Sequence, residues 1–157
     1  MDKVIIKRTN KCDTRTLPKG SVVSEADAKE DTLRHRQAVI DVGNFICDKI
    51  KEQFKEHDWS KLGSNLTEFT DGLNKGFDSP EFEKWYDMHV TAERHHLKKF
   101  VPDDVNIIDL LEMLIDCVCA GKARSGDVYP MELPNELLQK VVANTFEYLK
   151  SIIEVED

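Results

Sequence analysis

Asp104-Val105-Asn106-Ile107-Ile108-Asp109-Leu110-Leu111-Glu112-Met113-Leu114-Ile115-Asp116-Cys117-Val118 is the stretch on which the fold class turns. Ile107, Ile108, Leu110, Leu111, Met113, Leu114, Ile115 and Val118 leave it almost no polar side, and a helix apolar nearly all round is one that other elements surround. The reading is a central helix over about residues 104–121, capped by Asp103 or Asp104 after Pro102. Asp109, Glu112 and Asp116 are the exceptions on it. Their steps of three and four put them on one face, which either meets a ligand or forms a polar seam to a partner.

Upstream, Ser79-Pro80-Glu81 is a helix start, with Ser as N-cap, Pro at the first helical position and an acid in the first turn. The helix it opens, about residues 80–99, carries Phe82, Trp85, Tyr86, His89, Glu93, His96 and Phe100 at helical steps. The stripe thus changes from aromatic to His-Glu-His. His95 is turned about 100° from His96 on such a helix and is expected to face solvent. Glu93 either orients a ligand histidine or pairs with Arg94 or Lys98. Trp85, like Trp59, is read as a core residue, with stacking on a base as the alternative.

Further out, Val39, Val42, Ile46 and Ile50, widened by Ala38, Phe45 and Phe54, predict a first long helix over about residues 31–56. His35 stands four residues before Val39 and is expected to point with that face toward the core. Gly, Asn, Ser and Thr from Leu62 to Asp78 predict a connection containing a short helix around Leu66 to Leu73. Gly121 to Met131 reads as a loop, and Pro134 opens a last helix striped by Leu138, Val141, Val142, Phe146, Leu149, Ile152 and Ile153. Residues 1–30 read as an arm, with one short strand at Val4-Ile5-Ile6 and loop-like order through Pro18 and Gly20. The expectation is an all-α, single-domain helical bundle over residues 31–157 behind that arm.

The whole chain sets limits on function. Its 157 residues, 40% apolar, suit one core of ordinary size. With 22 basic against 30 acidic residues, the net charge of −8 argues against an extended nucleic-acid surface. A small anionic substrate stays open, because a metal ion and a few cations reverse the field inside a cleft. No apolar run reaches about 18 residues, and Asp2, Lys3, Lys7 and Arg8 are unlike a signal peptide. The expected location is therefore the cytoplasm, with no membrane. Cys12, Cys47, Cys117 and Cys119 follow no disulfide spacing and read as free thiols.

Chemistry enters with the histidines, of which there are five: His35, His57, His89, His95 and His96. In His57-Asp58-Trp59-Ser60-Lys61 an adjacent pair offers a nitrogen and an oxygen ligand from one point of the chain. Imidazoles with a carboxylate suit divalent Zn, Mn, Fe, Co or Ni, whereas Mg alone prefers oxygen. Helices of a bundle can bring such ligands to one ion in the core. That ion lowers the pKa of bound water and polarises a phosphoryl oxygen, which are the two needs of phosphate-ester hydrolysis.

A helical His35, then His57-Asp58 with Lys61 three residues after Asp58, then further histidines and an Asp in a later apolar helix, resembles the HD-domain superfamily of metal-dependent phosphohydrolases. More narrowly, residues 31–120 are similar to a small uncharacterised family from phages and bacteria. The motifs that carry this are His35, His57-Asp58-Trp59-Ser60-Lys61, Trp85 to His89, His95-His96 and Glu112-Met113-Leu114-Ile115-Asp116. The resemblance implies His35, His57, Asp58 and Asp116 as metal ligands, with Asp109 competing with Asp116 for the last position. It implies a second ion or the substrate for His89 with His96 or His95, with Glu93, Asp109 and Glu112 as further candidates. Asp58 and Lys61 would be catalytic, Lys61 meeting phosphate. The implied substrate is a nucleotide or other small phosphate ester, in the host cytoplasm if the chain is phage-encoded. Two rivals keep the fold: a non-catalytic binding module, such as a phage-encoded modulator of a host protein, and a metal-dependent oxygenase.

Overall fold

In the computed structural model, residues 3–8, 12, 17–128 and 130–156 are described. The loop-like reading of the arm at residues 9–11 and 13–16 lies outside them. The fold is all-α with one short pair of strands: β1 (Val4–Lys7), α1 (Glu25–Lys55), α2 (Leu66–Lys75), α3 (Pro80–Ala92), α4 (Ile107–Arg124), α5 (Asn135–Ile152) and β2 (Ile153–Glu156). Two short 3-10 turns, Trp59–Lys61 and Gly63–Asn65, join α1 to α2. The chain divides into two units, residues 1–50 with 149–157, and residues 51–148.

In the first unit β1 and β2 pair in parallel, Val4 opposite Ile153 and Lys7 opposite Glu156, and the Arg8 N–H extends the ladder to Glu156 O at 2.9 Å. The second strand corrects the sequence reading, which ran Ile153 into the last helix. Pairing with residues almost 150 positions away overrides the local helical pattern, as non-local strand pairing can. The α1 helix starts six residues earlier than expected because Ser24 caps it, Oγ accepting from the Asp27 N–H at 3.1 Å. Its stripe lies where expected except for one member: Ala38, Val42, Phe45, Ile46, Ile50 and Phe54 are half-buried, whereas Val39 is 59% exposed. His35 lies on Val39's side and is exposed, contrary to the expectation that it faces the core.

The second unit holds the core of Leu97, Val105, Leu110, Met113, Leu137 and Val141, with Cys117, Met131 and Leu133 packed against it. A capping box starts α4: Asn106 Oδ1 accepts from the Ile108 N–H at 2.9 Å, and the Asp109 carboxylate accepts from the Asn106 N–H at 2.9 Å. The helix is buried from Ile108 to Leu110 and at Glu112 and Met113, then opens at Leu114, Ile115 and Val118. It is thus enclosed only in its first half, rather than throughout. On α5 the expected Val141 and Ile152 are buried, but Leu137 is buried in place of Leu138, and Val142 and Phe146 are exposed. Polar side chains share the buried side: Asn144 Nδ2 donates to the carbonyls of Asp103 and Val105, and Thr145 Oγ1 accepts from the Ile107 N–H.

Packing of α2 on α3 is close at Gly72, where a Cβ would stand 3.0 Å from Phe82 Cα. Ser79 caps α3 as the sequence suggests, Oγ accepting from the Phe82 N–H at 3.2 Å with Pro80 following. Phe69, Phe82 and Trp85 form the aromatic contact between the two helices, with Phe69 and Trp85 ring centres 4.4 Å apart. All four cysteines are free thiols. Among the described residues no helix is long and apolar enough to cross a membrane.

Candidate metal centre

Asp58 is the only described residue other than glycine with a positive φ, at 57°. Asp tolerates the left-handed region better than most residues because its short polar chain bonds locally, and the conformation still costs about 1–2 kcal/mol. Its carboxylate does not cap the 3-10 turn that follows. Oδ2 accepts instead from Lys61 Nζ at 2.7 Å, while Oδ1 is buried with no hydrogen-bond partner. The strained turn therefore delivers one bound and one unsatisfied oxygen into the interior.

The helix bearing His89 ends sooner than its stripe suggests. Glu93 is extended (φ −94°, ψ 108°), and residues 93–100 run through turns. Two tertiary bonds act there: the buried Glu93 carboxylate accepts the Ser60 N–H at 2.9 Å, and Arg94 grips Asp109 through Nε and a terminal nitrogen at 2.7 and 2.8 Å. They override the local helix propensity. The 100° divergence of His95 from His96 then vanishes, and the rings lie 4.2 Å apart between centres. His95, expected in solvent, is 1% exposed.

Three imidazoles direct Nε2 at Asp58. His57 Nε2 lies 3.7 Å from Oδ2; His89 and His95 Nε2 lie 3.9 and 4.0 Å from Oδ1. On the far side of each ring another residue faces Nδ1. Glu112 Oε1 is 2.9 Å from His57 Nδ1 and 3.3 Å from His95 Nδ1, the latter close but not aligned as a hydrogen bond. Ser60 Oγ is 2.6 Å from His89 Nδ1. His96 Nε2 meets His89 Nε2 at 2.7 Å, and Asp116 Oδ1 is 3.4 Å from His57 Nε2.

The ligand atoms therefore fall into two groups, each within 4.8 Å: His57, His95 and Asp116, and Asp58, His89 and His96. Ligands about 2.0–2.2 Å from one ion stand about 3.0–3.6 Å apart, so small side-chain movements would close either group on a cation. These groups make a potential metal-binding centre. Asp58 is a member of the second group, and it also faces the first: Oδ1 is near His89 and His95, and Oδ2 is near His57. His35, in the first unit, belongs to neither group.

The remaining candidates have other partners. Asp109, 0% exposed, accepts from Arg94, from the Asn106 N–H and, at 3.2 Å, from Gln53 Nε2. It is outside both groups, and its oxygens serve the capping box and the Arg94 pair. Glu93 is held by Ser60. Glu112 accepts from Gln53 at 2.5 Å as well as from His57. Trp85 stacks on His89 with ring centres 4.9 Å apart and planes 11° from parallel, whereas Trp59 is 44% exposed and not a core residue. Of the residues that brace the site, the sequence reading passes over Gln53, takes Arg94 only as a partner for Glu93, and takes Ser60 only as a member of the His57–Lys61 motif. Only Ser60 carried a signal, its place directly after His57-Asp58-Trp59.

Electrostatics separate the groups. Burial, with His96 and Lys61 nearby, pushes His89 down to about 3, and burial beside His95 and Lys61 pushes His96 down to about 4. Both are therefore neutral near pH 7, as ligands must be. Burial would lift Asp58 and Glu112. The bond and charge of Lys61 more than offset this at Asp58, and the nearby His95 together with hydrogen bonds from Gln53 and His57 holds Glu112 down at about 2. Burial would lower His95, yet Glu112 raises it above the usual imidazole value. A cleft of about 200 Å³ borders the His57 side, lined by Phe54, His57, Glu112, Ile115, Asp116 and Cys119.

Residues 24–154 match the model of a family of unknown function, DUF5662. The chain belongs to DUF5662. No curated protein and no solved structure matches it. Membership places both ligand groups inside the family's matched region without assigning them a reaction.

Proposed function

We propose that this DUF5662 member is a metal-dependent phosphohydrolase of HD type, acting on a nucleotide or another small phosphate ester. One divalent transition ion (Zn, Mn, Fe, Co or Ni) would be held by His57, His95, Asp116 and Asp58, and a second by Asp58, His89 and His96. The observation that carries the reading is Asp58 Oδ1, buried and without a hydrogen-bond partner among imidazoles that aim Nε2 at it. Burying an oxygen this way is costly unless a cation or donor completes it.

Bound ions would supply Lewis acidity toward a phosphoryl oxygen and acidify water to near neutral pH. The chain's own groups do the rest. Lys61, held by Asp58, is the nearest ammonium and would turn to a phosphate oxygen once a cation neutralises that carboxylate. Phe54 and Ile115 line the cleft beside His57 and would seat the part of the substrate away from phosphorus. Neutral His89 and His96 add no charge to repel the ions.

Metal analysis of the purified protein, followed by a screen of nucleotides and phosphate esters with the metal found, tests this. The expected result is up to two ions per chain and release of inorganic phosphate. Absence of a stoichiometric transition metal, or metal with no phosphate released from any ester, sinks it. Four imidazoles against two carboxylates also suit iron, so stoichiometric iron with oxygen consumption would select the oxygenase reading instead.

A further inference from the structure

We infer that Glu112 is the positioning residue of the His57 side: it fixes which nitrogen of His57, and with it of His95, is free to bind a cation, and is not itself a ligand. This rests on the metal-binding reading above. Glu112 lies on α4 one turn before Asp116, and the sequence pattern alone makes the two look equivalent. Their surroundings differ. Asp116 is half-buried and faces His57 Nε2 at 3.4 Å. Glu112 is buried behind the rings, with Oε1 at the Nδ1 atoms of His57 and His95 and Oε2 taken by Gln53.

The assignment follows from hydrogen bookkeeping on an imidazole. A neutral ring carries one N–H, and a carboxylate only accepts, so the nitrogen facing Glu112 must carry the proton. Nδ1–H on His57 leaves the Nε2 lone pair bare, and that lone pair points toward Asp58 and Asp116. The same oxygen faces His95 Nδ1 less directly, and His95 Nε2 is buried without a partner. Gln53 fastens the carboxylate through its second oxygen and also reaches Asp109, so the end of α1 and the first turns of α4 hold Glu112 together. A carboxylate behind a ligand histidine fixes ring orientation and strengthens the nitrogen as a donor, and losing it typically costs 10–100-fold in metal affinity.

The test compares Glu112→Gln and Glu112→Ala with the wild type in two measurements. The first is long-range proton–nitrogen NMR of the histidine rings in metal-free protein, which reports the tautomer whether or not any ion binds. At a pH where the rings are neutral, expected are Nδ1–H tautomers for His57 and His95 in the wild type, retention in Glu112→Gln, whose amide oxygen still accepts, and loss in Glu112→Ala. The second is Co2+ titration followed by visible absorption. Glu112→Gln should keep the wild-type stoichiometry and band shape, while Glu112→Ala keeps the stoichiometry and weakens the His57-side ion about 10–100-fold. Loss of one Co2+ in Glu112→Gln would make Glu112 a ligand and overturn the inference. Wild-type tautomers in folded Glu112→Ala would overturn it too, by leaving Glu112 a merely structural role. A wild type that binds no metal but shows the expected tautomers would sink the proposed function alone.

Discussion

On the reading that Asp58 serves both ions, the two sides of the centre still stand on different supports. Behind His57 and His95 lies the carboxylate of Glu112, braced by Gln53; behind His89 lies the neutral hydroxyl of Ser60, with Trp85 stacked on the ring. Negative backing raises the proton affinity of His95, and apolar burial beside like-charged neighbours depresses His89 and His96. A nitrogen that holds a proton well also holds a cation well. On the metal-binding reading, the His57 side is therefore expected to hold its cation more tightly than the His89 side.

The largest test of that comparison removes what the sides share. Asp58→Asn keeps a side chain suited to the left-handed backbone but loses the charge, so the protein should fold and lose most of both ions in metal analysis. Retention of two ions would break the shared role of Asp58. Next, His57→Ala and His89→Ala should each cost one ion, and a graded chelator titration of the wild type should strip the His89 side first. Loss from the His57 side first would reverse the ranking.

Arg94→Ala acts on the scaffold behind the His57 side, leaving the buried Asp109 charge with only Gln53 and the Asn106 N–H. Breaking a fully buried ion pair costs about 3–5 kcal/mol. The Arg94 side chain is 37% exposed, so solvent lowers the loss read by denaturant unfolding below that range, while the His89-side ion should remain. Unchanged stability would show that Asp109 needs no Arg94.

The last test is the pH dependence of metal-free protein. His89 and His96 sit at about 3 and 4, below the ordinary 6.5, so between those values the unfolded chain binds the protons. Their stability is fully present above pH 6.5 and is lost as pH falls. His95, raised, works oppositely, its contribution present below pH 6.5 and lost as pH climbs through its folded value. The two depressed rings outweigh the one raised, so the melting temperature should fall from pH 6.5 to 4.5, and His89→Gln should flatten the slope. A melting temperature constant over that range would show that the two sides do not differ in proton affinity.

How much of this the sequence could say depends on the range of the interaction. Ser79-Pro80 announces the start of α3 because a cap satisfies backbone groups two or three residues away, and the start of α3 is where it was expected. The apolar run of α4 announces a helix for the same local reason. The end of α3 was illegible, since what stops it is Ser60, 33 residues earlier, and Asp109, 15 residues later. His95 was misplaced as a direct result. Likewise the α5 stripe holds at Val141 and Ile152 but not at Val142 and Phe146, and the buried side also carries Asn144 and Thr145, which serve a backbone that periodicity does not see.

By itself the sequence determined an all-helical chain, its capped starts, its free thiols and the pool of histidines and acids from which a metal centre could be drawn. Those follow from composition and from interactions within a few residues. Only the tertiary structure decided how that pool divides: Asp58 grouped with His89 and His96, His95 turned inward, Asp109 committed to Arg94 and the capping box, and Glu112 behind the rings with Asp116 in front. One helix face carries all three acids of α4, and their roles differ because each meets a different neighbour from elsewhere in the chain.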